Sequence, residues 1–387
     1  METTNIKVAF TTNLCAHYNV GTFEELSRHY DVDYYFYSAG DEWYWQQKHG
    51  VSAGNFHFEY LPGFDISNTR ISLDLPIKLF RRSYDVYIKC INGRFALPIT
   101  YLVARLKHKP FILWTGVWMR LQTPIHRLIF PFTRYIYRHA DAIVVYGEHI
   151  KRYLVSEGAD SQRVFVAPHA VDNNFYNRDV SPREQIALRE ELEINQDQKI
   201  ILYLGRLEES KGISYLIEAF SQLKNQNTIL ILAGEGSLRQ QLENQINALG
   251  IQSRVRFAGY VSINQSVVYY SLAWVFVLPS ITLPTGKEPW GLVVNEALNQ
   301  GIPVIATDAV GAAAGGLVLD GVNGFVVPEQ NSSALLEALS RILESPEQHS
   351  NMSEKAKELI EKWDYELNVE GYSRAVEFVT RTKSYPL

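Results

Sequence analysis

The segment Lys199-Ile-Ile-Leu-Tyr-Leu-Gly-Arg-Leu-Glu-Glu-Ser-Lys-Gly-Ile-Ser-Tyr-Leu-Ile-Glu-Ala-Phe220 reads as one repeat of an open α/β sheet. The apolar run from Ile200 to Leu204 suits a buried parallel strand. Gly205-Arg206 turns the chain, and after Lys211-Gly212 apolar residues return at helical spacing. Strand, glycine turn and helix place Arg206 and Lys211 at the carboxyl end of a strand, the edge where open α/β sheets bind ligands. Arg offers a planar fork to phosphate oxygens and Lys a point charge, so the two can neutralise a diphosphate without a metal. Read alone, they are ordinary loop charges.

Farther along, Glu288-Pro-Trp-Gly-Leu-Val-Val-Asn-Glu296 sets two carboxylates around a glycine turn and the start of a helix. The helix is expected to begin near Gly291 or Leu292 and to stop at Gly301, before Pro303. N–H groups at Leu292 and Val293 then form an anion site of the kind a diphosphate uses. Carboxylates repel that anion but accept hydrogen bonds from sugar hydroxyls, Glu288 from a hexose and Glu296 from a ribose. By itself the spacing fits equally a capping Glu288 and a solvated Glu296. Beside Arg206 and Lys211, a nucleotide-diphosphate-sugar site is the better reading.

Working outward, strands at 200–204, 228–233, 255–258, 274–278 and 303–306 alternate with helices, and 6–12, 32–38, 86–90, 111–114 and 142–147 do the same in the first half. The expectation is an α/β protein of two doubly wound domains, 1–175 and 176–365, with a linker over 172–180 ending at Ser181-Pro182. A last helix within 366–387 is expected to pack back on the first domain.

These residues resemble the family 4 (group 1) glycosyltransferases, retaining enzymes of the GT-B fold. Gly205-Arg206 with Lys211-Gly212 matches a family segment, and Glu288 with Glu296 matches its Glu-x7-Glu motif. The segments 232–236, 255–261, 277–280, 296–308 and 320–327 match further, so the likeness is close over about 160–330 and weaker before. The resemblance implies that Arg206 and Lys211 hold the diphosphate, that Glu296 binds the ribose, and that Glu288 touches the transferred sugar. By the same likeness Leu292 and Val293 meet the phosphates, Gly205, Gly236 and Gly291 shape the donor site, Tyr260 and Val261 frame the base, and Gly21 faces the diphosphate. It implies a nucleoside-diphosphate sugar, UDP-hexose by family frequency, a glycan or lipid-linked acceptor, and no metal or cofactor.

The chain also departs from the family. Where members carry a His after a first-domain strand, this chain has Thr115-Gly116, and the usual Asn before Gly-Val-Asp is replaced in Pro168-His169-Ala-Val-Asp172. His169 either reaches the cleft or packs inside. The insertion 281–287 is either a mobile lip or a longer loop, and 311–316 either a backbone nest or an ordinary connection. Two rivals stay open, a GT-B nucleotide-sugar epimerase and a catalytically silent nucleotide-sugar-binding protein.

Composition bounds the rest. Of 387 residues, 46% are hydrophobic and 20% charged, as in an ordinary globule, and two distant cysteines, Cys15 and Cys90, make no disulfide framework. A polar start, and no apolar run of about eighteen residues, lead to the expectation of a cytoplasmic protein. The net charge of −5 hides a cationic stretch, 78–152, with basic residues from Lys78 to Arg152 against only Asp85, Asp141 and Glu148. Its interleaved aromatics suggest docking on an anionic membrane surface, with a core helix and snorkelling Arg side chains as the alternative. Nucleic acid is not expected as a partner.

Overall fold

The computed structural model describes residues 6–38, 54–66 and 69–381. The chain divides into two compact units, one of 1–116, 124–170 and 365–387, the other of 117–123 and 171–364. The segment 117–123, expected within the first domain, groups with the second unit, and the second unit takes up again at 171.

In the first unit the strands are β1 (Lys7–Thr12), β2 (Asp31–Phe36), β3 (Phe58–Tyr60), a hairpin of β4 (Phe64–Ile66) and β5 (Thr69–Ile71), then β6 (Val86–Cys90), β7 (Phe111–Thr115), β8 (Ala142–Val145) and β9 (Val164–Val166). All but the hairpin join one parallel sheet in the order β3-β2-β1-β6-β7-β8-β9. Helices cover both faces of such a sheet, which is why β6, β7 and β8 read as unbroken apolar runs and are buried almost throughout. The three-residue edge strands β3 and β9 are too short to carry a periodic signal.

The second unit repeats the plan with β10 (Lys199–Leu204), β11 (Thr228–Ala233), β12 (Val255–Gly259), β13 (Val275–Leu278), β14 (Val304–Thr307) and β15 (Gly324–Val327), parallel in the order β12-β11-β10-β13-β14-β15. Its entry helix, Pro182–Glu191, has a full capping box: Ser181 Oγ accepts from the Glu184 N–H and Glu184 accepts from the Ser181 N–H. Strand order reverses between β1 and β6 in one sheet and between β10 and β13 in the other. Connections leave in opposite directions at each reversal, so a crevice opens at the carboxyl ends of those strand pairs.

The closing helix, Tyr365–Arg381, belongs to the first unit; 382–387 lie outside the described residues. It buries Val369, Tyr372, Val376 and Val379 in the same cluster as Phe10, Phe23, Tyr34 and Trp114. Tyr372 stands 6.1 Å from Phe10 and 6.4 Å from Trp114, ring to ring. Close approach of the helix depends on Gly371, because a methyl group there would lie 2.4 Å from the Val166 carbonyl oxygen and 2.6 Å from Ala167 Cα. Backbone cannot swing aside as a side chain can. Gly371→Ala is therefore expected to lower the stability of the first unit by about 1–3 kcal/mol in urea titration, whereas Glu377→Ala on the exposed face changes it by less than about 0.5 kcal/mol.

Candidate functional site

The β10/β13 crevice gathers the residues singled out in the second half. Its rim is tied together through the backbone: Gly205 N–H donates to Ala233 O at 2.9 Å, Leu207 N–H to Glu235 O at 2.8 Å, and Gly234 N–H to Gly259 O at 2.6 Å. These bonds put the turns after β10, β11 and β12 side by side. Gly236 sits where a methyl group would meet Leu207 O at 2.3 Å, and Tyr260, 41% exposed, follows β12 with Val261.

Lys211 and Glu288 form an ion pair across the strand reversal, their side chains only 14% and 15% exposed. Lys211 is carried there by Gly212, whose φ of +60° and lack of a side chain let the turn lie against Pro279; a methyl group would be 2.1 Å from Pro279 O. Glu288 is held from several sides. Ser280 Oγ donates to its carboxylate at 3.4 Å, and its carbonyl oxygen accepts from Trp118 Nε1 and from Gly311 N–H, each at 3.1 Å. Glu288 thus precedes the helix without capping it. Burial, with the Glu288 charge adding to it, raises the Tyr203 hydroxyl well above the usual tyrosine range, and that hydroxyl donates to Arg206 O at 2.6 Å. Arg206 itself is at the surface, paired with Glu208 at 2.8 Å.

The helix after Gly291 runs Val293–Asn299, with Leu292 as its N-terminal cap residue, a shade later and shorter than expected. Glu296 lies in its first turn, and the solvated reading is corrected. The side chain turns inward and accepts from Tyr270 Oη at 2.7 Å. Burial pushes its carboxyl up from the usual 4.5 to about 7, against the hydroxyls of Tyr270 and Tyr176, which favour the carboxylate.

Two open alternatives close. The loop 281–287 is tied down: the Thr282 side chain and N–H both donate to the Glu329 carboxylate, Ile281 N–H to Ser210 O at 2.9 Å, and Gln122 N–H to Pro284 O at 2.7 Å. The run from Gly311 forms a short helix, Gly311–Ala314, whose Gly311 and Ala312 N–H groups bond Glu288 O and Trp290 O, so these amides are not a vacant nest.

Residues expected from the first half stand in the first unit. Gly21 is inside the helix Val20–His29 rather than before it, and its Cα is covered by the Tyr365 ring, which a methyl group would approach to 2.2 Å; packing accounts for this glycine. Thr115 is buried at the end of β7, and Gly116 closes that stretch of the unit. His169 is packed inside, stacked on Tyr146 at 4.6 Å, with Tyr18 edge-on at 6.0 Å, and burial lowers its pKa to about 4. Tyr270, Ser280 and Trp118 complete the second-unit site. A hydroxyl inside the apolar run Val267–Tyr270 hints at Tyr270, but no sequence signal joins Trp118 to Glu288, 170 positions away. Among the described residues no group of three or more His, Cys, Asp or Glu gathers as a metal site would, and no helix is long and apolar enough to cross a membrane.

Comparison with known proteins agrees with this architecture. Residues 22–175 match the model for Glycosyltransferase Family 4 and residues 184–359 that for Glycosyl transferases group 1. Alpha-D-kanosaminyltransferase of Streptomyces kanamyceticus is 28% identical over 70% of this chain and 71% of its own length. Putative glycosyltransferase EpsD of Bacillus subtilis is 27% identical over 83% and 84%. The uncharacterised glycosyltransferase MJ1607 of Methanocaldococcus jannaschii reaches 33% identity, but over only 43% of this chain and 42% of its own. Among solved structures, Anabaena Alr3699/HepE in complex with UDP and glucose superposes with a TM-score of 0.74 at 20% identity, over 96% of this chain and 100% of that one, which speaks to the fold alone. The chain belongs to the family 4, group 1 glycosyltransferases of the GT-B fold, and is a transferase.

Proposed function

We propose that this glycosyltransferase moves a hexosyl group from a UDP-sugar, UDP-glucose foremost, to a hydroxyl of a glycan or lipid-linked acceptor in envelope or extracellular polysaccharide biosynthesis, with retained anomeric configuration and without a metal. The observation that carries this is the pairing of Lys211 with Glu288 in the β10/β13 crevice, with Arg206 on its rim. Negative charge grows on the departing diphosphate as the sugar leaves. Arg206 and Lys211 are cations fixed where that charge develops, and preorganised charge of this kind is worth most when it need not reorganise during reaction. Glu288 pairs with Lys211, and on this reading Lys211 turns to phosphate and Glu288 accepts sugar hydroxyls when the donor binds. Glu296 with Tyr270 then takes the ribose, Tyr260 and Val261 the base, and Leu292 and Val293 the phosphates.

Support for UDP comes from the UDP complexes of HepE, and support for a glycan acceptor from the Salmonella typhimurium relative described as a lipopolysaccharide 1,2-N-acetylglucosaminetransferase. A front-face route, in which the leaving phosphate takes the acceptor proton, fits a chain whose His169 is stacked under Tyr146.

A peripheral position at the inner face of the plasma membrane is part of the proposal. The helix Pro124–His139 has no acidic residue and exposes Ile125, Leu128, Phe132 and Tyr135 along one stripe, Leu128 by 76%, with Arg127, Arg134 and Arg138 on the next. Not all of the cationic surplus is surface: Arg105 is spent on Asp141 at 2.8 Å, Lys109 on Asp85 at 3.1 Å, and Lys89 is buried. On this helix Arg134 pairs with Glu157 at 3.3 Å and Arg138 donates to the Glu157 carbonyl at 3.2 Å, so the exposed apolar stripe, with its cationic border, is what suits a surface of anionic headgroups.

Three results are expected. UDP and UDP-glucose raise the melting temperature more than GDP or ADP counterparts do, by the equivalent of about 2.7 kcal/mol at a hundredfold Kd; Arg206→Ala abolishes the shift, while Glu288→Ala keeps it and loses about a hundredfold in transfer rate. No shift with any nucleotide refutes the donor assignment. For Glu296, the folded carboxyl holds its proton to about pH 7 while the unfolded one releases it near 4.5, so this group costs stability as pH rises through that window. Melting curves of Glu296→Gln against wild type should therefore converge toward acid and diverge above pH 7, the variant being relatively more stable there. Finally, Leu128→Ser with Phe132→Ser should lose flotation with phosphatidylglycerol vesicles while leaving the UDP shift intact; equal flotation would remove the membrane from the proposal.

A further inference from the structure

The segment 172–180, expected as a linker, reaches into the second unit's site. It opens on a short helix, Asn173–Tyr176, where the Phe175 N–H donates to the Asp172 carboxylate at 3.1 Å. Side-chain amides fasten it to its surroundings. Asn173 Nδ2 donates to Ile360 O at 3.0 Å and to Trp363 O at 3.3 Å, and Asn173 Oδ1 accepts from Asn299 Nδ2 at 3.0 Å. Gln300 Nε2 donates to Tyr176 O at 2.5 Å and to Arg178 O at 3.0 Å. Asn299 and Gln300 end the helix that carries Glu296, so the segment is clamped to that helix and to the stretch just before the closing helix. Held this way, the Tyr176 side chain is buried and its hydroxyl bears on the Glu296 carboxylate, which Tyr270 Oη reaches at 2.7 Å.

Two tyrosines do for Glu296 what a cation would not. Burial first, then the Glu296 charge and the nearby Tyr176, raise the Tyr270 hydroxyl well above the usual tyrosine range, so it keeps its proton and donates it. Neutral donors orient a carboxylate without cancelling its charge, unlike Lys211 at Glu288. An ionised carboxylate has about four lone-pair positions, and two hydroxyls leave about two of them on a side chain that is still partly open. Two neighbouring hydroxyls of a ligand fit that remainder; phosphate, of like charge, does not. We infer that Tyr176 is a positioning residue: with Tyr270 it sets Glu296 to receive a vicinal diol, and the linker thereby makes the second unit selective for ribonucleotide over deoxyribonucleotide donors. The inference rests on the donor reading above, in which Glu296 takes the ribose, and adds the linker to it. Tyr176 itself acts only through Glu296.

The test is calorimetric titration of the full chain with UDP and with 2′,3′-dideoxy-UDP at pH 8, above the value of about 7 to which burial raises Glu296. Wild type should bind UDP roughly a hundredfold more tightly, from two hydrogen bonds to a charged group. Tyr176→Phe should cut that ratio roughly tenfold while the dideoxy affinity stays within about twofold. A merely structural role would weaken both ligands alike and leave the ratio standing, and that result overturns the inference. Gln300→Met covers the case in which Tyr176→Phe fails to fold. It keeps the hydroxyl but frees the Tyr176 and Arg178 carbonyls, and it should cut the ratio at least about threefold; an unchanged ratio there overturns the inference as well. Equal binding of the two ligands by wild type strikes the ribose assignment of Glu296 instead, and the inference falls with it.

Discussion

The ion pair of Lys211 with Glu288 is the contact around which the second unit's functional edge is arranged. It joins the loop leaving β10 to the loop leaving β13, the two strands at which the order of the sheet reverses. The Ile281 N–H bond to Ser210 O and the close approach of Gly212 to Pro279 join the same two loops, and the ion pair sits on that backbone seam. A largely buried pair of this kind contributes little net stability, because desolvation offsets most of the attraction. Its value is positional. In the proposed donor complex each partner exchanges the other for a ligand group, phosphate for Lys211 and a hydroxyl for Glu288.

The same economy governs the other buried charges. Glu296 accepts from Tyr270 at 2.7 Å while burial opposes its ionisation, and Lys89 spends its donors on neutral oxygens. Neither is the arrangement that stability alone would select, since an apolar residue of similar volume packs without a desolvation cost. Both lie at the carboxyl edges of parallel sheets, and at Glu296 the proposed donor complex needs the polar group held still before the ligand arrives. His169 and Gly21 make the contrast. Gly21 was expected at a ligand and His169 was left open between cleft and interior, and each stands in aromatic packing, His169 on Tyr146 and Gly21 against Tyr365.

What could be read from the chain alone follows from the range of the interactions involved. Strand β10, its glycine turn and the cations after it lie within one short segment, so local pattern sufficed for Arg206 and Lys211. The apolar strands were legible for the same reason, even four-residue β8, β13 and β14, whereas β3 and β9 were not, because three residues carry no period, and β15 opens on Gly324 straight after a polar turn. Motif likeness supplied Glu288 and Glu296. It could not supply their surroundings: that Glu288 pairs with Lys211, 77 positions away, or that Glu296 turns inward, depends on how the sheet is wound. The segment 117–123 was illegible outright, because nothing in its composition assigns it to the second unit rather than the first.

That segment bears on how Glu288 is positioned. Trp118 Nε1 and Gln122 N–H both donate to backbone oxygens, of Glu288 and Pro284, and Lys287 lies over the Trp118 ring at 4.6 Å. Thr282 is fastened to Glu329, Glu329 N–H donates to Asp308 at 2.9 Å, and Leu283 and Gly286 close the loop on itself with paired bonds of 3.0 Å. A loop held at so many backbone points gains nothing from moving as a lid. It works as a splint: because the bonds from 117–123 are made to carbonyl oxygens, they fix the path of the chain into Glu288 without engaging its carboxylate. On the proposed mechanism the side chain can then exchange Lys211 for a hydroxyl while the backbone beneath it stays in place.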